Sequence, residues 1–261
     1  MTSSGSWIGL GLVAAILGGC SLLYPTSVPI PSQPRPAGDG RAPCLLVMLP
    51  GRGDDPADLE RAGLVELVRR HAPAVDVLLV DAHFGYYYER SLIERLDRDV
   101  IGPARARGYQ HIWLLGISMG GLGALLYASA HADQIDGLIL LAPFLGDEEL
   151  IDEIDAAGGL AAWRPPAAIA PDDYQRALWS WLLEHIRQPQ RRPGIYIGWG
   201  TADPFARANA MLAAALPAGQ HRSTAGGHQW APWRELLAAF LRQGLLAPVK
   251  TNPTRRSATA R

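Results

Sequence analysis

The sequence predicts an α/β domain: a mostly parallel central sheet with helices on both faces and a small lid insertion. Three observations predict it. Five short runs are mostly apolar and bounded chiefly by Gly, Pro or Asp, helical periodicity fills the stretches between them, and a G-x-S-x-G turn joins one run to the helix after it. Continuous apolar runs of this length read as strands buried on both faces. Strands alternating with helices imply parallel pairing with crossovers.

The runs are Cys44–Leu49, Val75–Val80, His111–Ile117, Gly137–Leu141 and Gly194–Trp199. One helix is expected over Pro56–His71, with Leu59, Ala62, Leu64, Leu67 and Val68 on one side. A second is expected over Glu89–Arg105, with Leu92, Ile93, Leu96 and Val100 inward and Arg90/Glu94, Glu94/Arg98 and Arg95/Asp99 pairs outside. Leu122–His131 and Ala206–Leu216 complete the regular alternation, and Pro232–Leu241 reads as the last helix. Between Pro143 and Pro193 the alternation pauses. Asp147–Asp155 holds six acids backed by Leu150, Ile151 and Ile154, and Pro171–Arg187 is helical. Residues 144–170 are therefore expected to form the lid. The acids suit a solvated helix face better than a metal site, because no histidine stands near Asp152 and Asp155.

Composition narrows the function. Among 261 residues, Lys plus Arg number 24 and Asp plus Glu 25, for a net charge of −1. No global field is available to hold a nucleic acid. Two cysteines make neither a disulfide framework nor a Cys-rich zinc site.

The ends are expected to lie outside the domain, which is set at 44–247. No charged side chain precedes Arg35, and Trp7–Gly19 is an apolar run of 13 residues, the length of a signal-peptide core. Leu17-Gly18-Gly19-Cys20 resembles a bacterial lipobox. That resemblance implies a signal peptide over 1–19, lipid on Cys20 and anchorage in a bacterial cell envelope. Ser21 after the cysteine points to the outer membrane, on its periplasmic side, if the cell is Gram-negative. An uncleaved anchor is the other reading. Residues 20–43 are expected to be a spacer, because six prolines fall within Pro25–Pro43; extended at ~3.1 Å per residue, it would lift the domain by up to roughly 60 Å. Residues 248–261 carry Lys250, Arg255, Arg256 and Arg261 without an acid and read as a basic disordered tail.

The chemistry concentrates in Gly116-Ile117-Ser118-Met119-Gly120. A strand-to-helix turn of this pattern holds a serine in strained geometry at the carboxyl edge of the sheet, where a new helix aims free N–H groups at the reacting centre. A serine hydroxyl needs an imidazole to take its proton, and the imidazole needs an acid to fix its tautomer. In such an elbow these follow in the order Ser, acid, His. His228 lies in a Gly-rich loop before the last helix, whereas His221 belongs to a short extended stretch, so His228 is the expected base. Asp203 follows the Gly194–Trp199 strand and is the expected acid. An Asp before Pro204 suits a helix N-cap equally well. The oxyanion donors are expected to be Met119 N–H and, on the loop after the first strand, Arg52 N–H. The Arg52 side chain is either solvated or in touch with an anionic substrate group. Tyr86, Tyr87 and Trp163, with Tyr88 and Phe144, either line an apolar acyl pocket or pack under the lid.

These motifs resemble the α/β-hydrolase superfamily, and within it the small serine esterases. GTADP around Asp203 fits, and GGHQWAPWREL is similar to the G-G-H-x-W-x-x-W-R ending of that esterase group, with Trp230, Trp233 and Arg234 matching. Pro50 stands where many members have a histidine before the oxyanion-loop glycine. The usual leading antiparallel strands are expected to be absent, since the sheet reads as starting at Cys44. The resemblance implies hydrolysis of a small-molecule or lipid ester (or thioester) through an acyl-enzyme on Ser118, without metal or organic cofactor. Acyl transfer to another alcohol shares that intermediate. A catalytically silent binding protein of the same fold is the alternative from a different class.

Overall fold

The computed structural model describes residues 25–40, 42–188 and 193–246. Expectations for Cys20, for residues 1–19 and for the tail 248–261 lie outside the described residues.

In chain order the elements are β1 (Ser32–Arg35), β2 (Cys44–Leu49), α1 (Pro56–Arg61), α2 (Leu64–His71), β3 (Val75–Val80) and α3 (Phe84–Tyr88). Then come α4 (Leu92–Arg95), a π-helical segment (Leu96–Ile101), α5 (Gly102–Ala106), β4 (His111–Ile117) and α6 (Met119–Ala130). The chain continues through β5 (Gly137–Leu141), α7 (Glu148–Ala156), α8 (Tyr174–Ile186), β6 (Gly194–Gly200), α9 (Ala206–Ala213), β7 (His221–Thr224) and α10 (Trp230–Leu241). The strands form one sheet in the order β1-β3-β2-β4-β5-β6-β7, parallel except for β1.

Every residue of β2 and β5 is buried, because helices cover both faces. One apolar layer joins one face of the sheet to α6, α7 and α8 through Leu125, Tyr127, Ile154, Trp179 and Leu182. The other joins the opposite face to α2 and α10 through Leu64, Val68, Trp233, Leu237 and Phe240. Among the described residues no helix is long and apolar enough to cross a membrane.

Several expectations are corrected. The sheet starts at Ser32 and not at Cys44: β1 pairs antiparallel with β3, Ser32 opposite Val80. Much of the expected spacer is therefore docked. Ile30 is buried and its N–H donates to Asp99, and the Ala37 N–H donates to Asp76. Pro34 is tolerated because β1 is an edge strand.

The helix expected over 56–71 breaks at Gly63, whose φ of 73° turns the chain between α1 and α2. The helix expected over 89–105 instead passes through a π-helical segment. Arg95, expected outside, turns inward and pairs with Asp99 at 3.3 Å and Glu94 at 2.9 Å.

Within residues 144–170, Leu150, Ile151, Ile154, Leu160 and Trp163 are buried in the helical layer, while most of the other positions are exposed. Three acids of α7 are held by arginines. Arg207 pairs with Asp152 and Asp155, and Arg176 pairs with Glu153 and Asp173.

Candidate active site

Parallel strands share a carboxyl edge, and the loops leaving it from β2, β3, β4, β6 and β7 build the site. Ser118 joins β4 to α6 with φ 52° and ψ −114°, a left-handed, strained backbone for a residue with a side chain. Its N–H donates to Leu141 O, and its carbonyl accepts from Phe144 N–H, which ties the turn to the strand beside it.

The flanking glycines are steric requirements. A Cβ on Gly116 would lie 2.3 Å from Gly120 O, and one on Gly120 would lie 2.3 Å from Leu49 O. The elbow therefore presses against the loop after β2. That contact carries Gly51 to Ser118: a Cβ at Gly51 would sit 3.7 Å from Ser118 Cβ.

The register Gly200↔Thr224 sets the loops after β6 and β7 side by side. Ala202 N–H donates to Gly226 O, and Gly200 has no room for a Cβ against that carbonyl. Asp203 and His228 meet as a result. The Asp203 side chain is fully buried. Its Oδ2 lies 2.8 Å from His228 Nδ1, and its Oδ1 accepts from Phe205 N–H at 2.8 Å. Asp203 is not the helix N-cap the sequence also allowed, since α9 starts at Ala206 after Phe205; its Oδ1 instead closes the turn that leads into that helix. His228 Nε2 lies 2.9 Å from Ser118 Oγ. A carboxylate can only accept, so Nδ1 carries the proton and Nε2 is free to accept from the serine hydroxyl. The imidazole stands edge-to-face between Phe205, at 5.1 Å, and Trp233, at 4.9 Å between ring centres. Those rings hold its plane. His221 opens β7, paired with Ile197, and is not brought to Ser118.

Met119 N–H is the first of α6, and neither it nor Arg52 N–H has an acceptor among the described residues. Asp54 lies beside this loop, and burial pushes its carboxyl above the ordinary aspartate range, with Asp58 and Asp55 adding to the shift.

A cavity of about 600 Å³ opens over Ser118 and Met119. Phe84, Leu122, Leu126 and Phe144 make its walls mostly apolar. Tyr86 and Tyr87 are among the residues that line it. Their hydroxyls are also engaged with backbone. Tyr87 Oη donates to Met119 O at 3.0 Å, and Tyr86 Oη meets the Ser27 backbone. Burial pushes both phenols above their ordinary values. Trp163 is corrected. It is buried behind α7, donates Nε1–H to Glu153 at 2.9 Å, and takes no part in the cavity wall. Sequence reasoning did not place Phe205 and Trp233 against the imidazole, nor Pro171, Asp172 and Tyr174 at the cavity. The Arg52 guanidinium lies 4.9 Å over the Phe84 ring. No group of acids, cysteines and histidines suited to a metal ion occurs among the described residues.

A family model described as Putative esterase matches residues 85–243, more than half of the chain. No curated protein matches the sequence. Among solved structures, Est1E from Butyrivibrio proteoclasticus superposes with a TM-score of 0.55 at 19% identity, covering 82% of this chain and 92% of its own. FphF, a fluorophosphonate-binding serine hydrolase of Staphylococcus aureus solved with substrate bound, gives 0.56 at 15%, covering 80% and 86%. A monoacylglycerol lipase from Paleococcus ferrophilus gives 0.53 at 15%, covering 83% and 98%. At these identities the likeness is one of fold.

Proposed function

Because the chain belongs to the Putative esterase family and has the α/β-hydrolase fold, we propose that it cleaves carboxylic esters or thioesters through an acyl-enzyme on Ser118. The observation that carries this is the unbroken relay from Asp203 to His228 to Ser118, at 2.8 and 2.9 Å, under an apolar cavity. Ser118 Oγ attacks the acyl carbon while its proton passes to His228 Nε2. The buried Asp203 carboxylate holds the tautomer and stabilises the imidazolium. Met119 N–H and Arg52 N–H receive the oxyanion. The imidazolium gives its proton to the departing alcohol, and a water activated by the same ring releases the acid. The reaction needs no metal or organic cofactor, since the relay supplies both nucleophile and base. Tyr86 and Tyr87 shape the wall that meets the acyl group.

Hydrolysis of p-nitrophenyl esters of rising acyl length tests the proposal, with Ser118→Ala as the comparison. The intact chain is expected to turn them over, and the variant to lose on the order of 10⁴-fold or more. A silent binding module would show neither.

We also propose that the chain is a membrane-held lipoprotein of a bacterial envelope, modified at Cys20. The apolar run before Cys20 and the lipobox-like residues support this. Mass spectrometry of the membrane fraction is expected to find a mature N-terminus at Cys20 bearing lipid. An intact Met1 would replace the lipid with an uncleaved anchor.

A further inference from the structure

Among the described residues, the most exposed large apolar side chains are Val28, Tyr88 and Tyr174, at 73%, 48% and 42%. All three belong to one neighbourhood. Tyr88 and Tyr174 line the cavity over Ser118, so their exposure puts them at its rim. Val28 follows Ser27, whose N–H and carbonyl both bond to the hydroxyl of Tyr86, a cavity wall residue. Thr26 hydroxyl donates to Glu89, between the rim residues Tyr88 and Arg90. The chain thus comes onto the domain at Pro25 one side chain behind the mouth of the cavity. The apolar run ends at Gly19, and Cys20 is five Cα steps from Pro25, at most about 18 Å in all. The docking of residues 26–35 removes the long spacer that the prolines suggested.

We propose that the cavity mouth faces the lipid bilayer in which the N-terminus is anchored, and that the site takes the acyl chain of an ester dissolved in that bilayer. This rests on the esterase reading and on anchorage through Cys20 or the apolar run itself. The chemistry of the rim suits that partner. Tyrosines with one apolar and one polar end settle at the depth of lipid headgroups. The charged lining residues are the cations Arg52 and Arg90 against one acid, Asp172, which favours anionic headgroups. An apolar cavity of about 600 Å³ has room for an acyl chain. A water-soluble ester would need no such orientation, because it reaches the mouth from any side.

The test separates proximity from chemistry. Full-length chain is incorporated into phosphatidylethanolamine–phosphatidylglycerol vesicles. A rigid proline-rich stretch of about 20 residues is inserted between Tyr24 and Pro25, lifting the mouth by ~60 Å. Two substrates are compared: 4-methylumbelliferyl oleate in the same vesicles, and 4-methylumbelliferyl butyrate in the water. Hydrolysis of the oleate is expected to fall at least tenfold on insertion while that of the butyrate stays unchanged. Oleate hydrolysis that survives the insertion overturns the proposal, as does a chain that fails to sediment with the vesicles. Absence of butyrate hydrolysis by the unaltered chain overturns the esterase reading instead, and this proposal with it.

Discussion

Asp203→Asn is the substitution that separates the two roles of one carboxylate. In the structure Oδ1 caps the turn at Phe205 N–H and Oδ2 holds His228 Nδ1, each at 2.8 Å. An asparagine keeps an amide oxygen for the cap, so folding is expected to change by less than about 1 kcal/mol, the usual value of a cap. It cannot serve the imidazole in the same way. Its NH₂ would face Nδ1 and donate, forcing the proton onto Nε2, where the ring can no longer accept from Ser118 Oγ at 2.9 Å. The side chain is wholly buried, so water does not replace the lost charge, and the imidazolium formed during acyl transfer goes uncompensated. Loss of the acid in such a relay costs on the order of 10⁴ in turnover. At about 1.36 kcal/mol per tenfold, that is about 5.4 kcal/mol of transition-state stabilisation. The assay is kcat on p-nitrophenyl butyrate, with thermal melts alongside. A loss below tenfold with an unchanged melt would refute the relay and leave Asp203 as a cap alone.

His228→Ala is expected to lose on the order of 10⁴-fold in kcat while His221→Ala stays within about twofold, a ranking read in the same assay and contradicted by the reverse order. Gly120→Ala drives a Cβ into Leu49 O, so overpacking of about 3 kcal/mol should lower the melting temperature by roughly 6–12 °C, and an unchanged melt would contradict the steric account of the elbow. Asp54→Asn tests electrostatics near the site. Burial raises the folded carboxyl above its ordinary 3.8, so the ionised form destabilises the native state. Below that value both states hold the proton and the penalty vanishes; it sets in as pH rises toward the folded value. The variant should melt higher than the parent at pH 7, with the gain gone at pH 3, and a gain that persists there would point to a different cause.

The sequence was most legible where one physical constraint acts alone. The central strands β2 to β5 carry apolar residues on both faces, and the structure gives their bounds as read. The site was legible because chemistry restricts it: a serine in a Gly-flanked elbow needs an acid and then a histidine at the same sheet edge. Where two constraints compete, the reading slipped. The 56–71 stretch keeps helical periodicity across Gly63, and the positive φ that breaks it depends on how α2 must lie under α10. β1 is SQPR, polar and with a proline, so it carries no strand signal; only its place on an edge beside β3 makes it one. Arg95 read as a surface charge because its partner Asp99 is also charged, and a buried ion pair has the same pattern as an exposed one. Trp163 stayed open between pocket wall and packing under the lid for want of a visible partner. Glu153, which accepts from its indole, lies ten residues earlier on α7, a spacing that carries no sign of the pairing.

The claim on which the account stands is that Ser118 is the nucleophile, and covalent labelling tests it most directly. The intact chain treated with a fluorophosphonate should gain one adduct, and peptide mass spectrometry should place it on Ser118, with labelling abolished in Ser118→Ala and strongly slowed in His228→Ala. An adduct on another residue, or none in a chain with a native melt, would contradict the account.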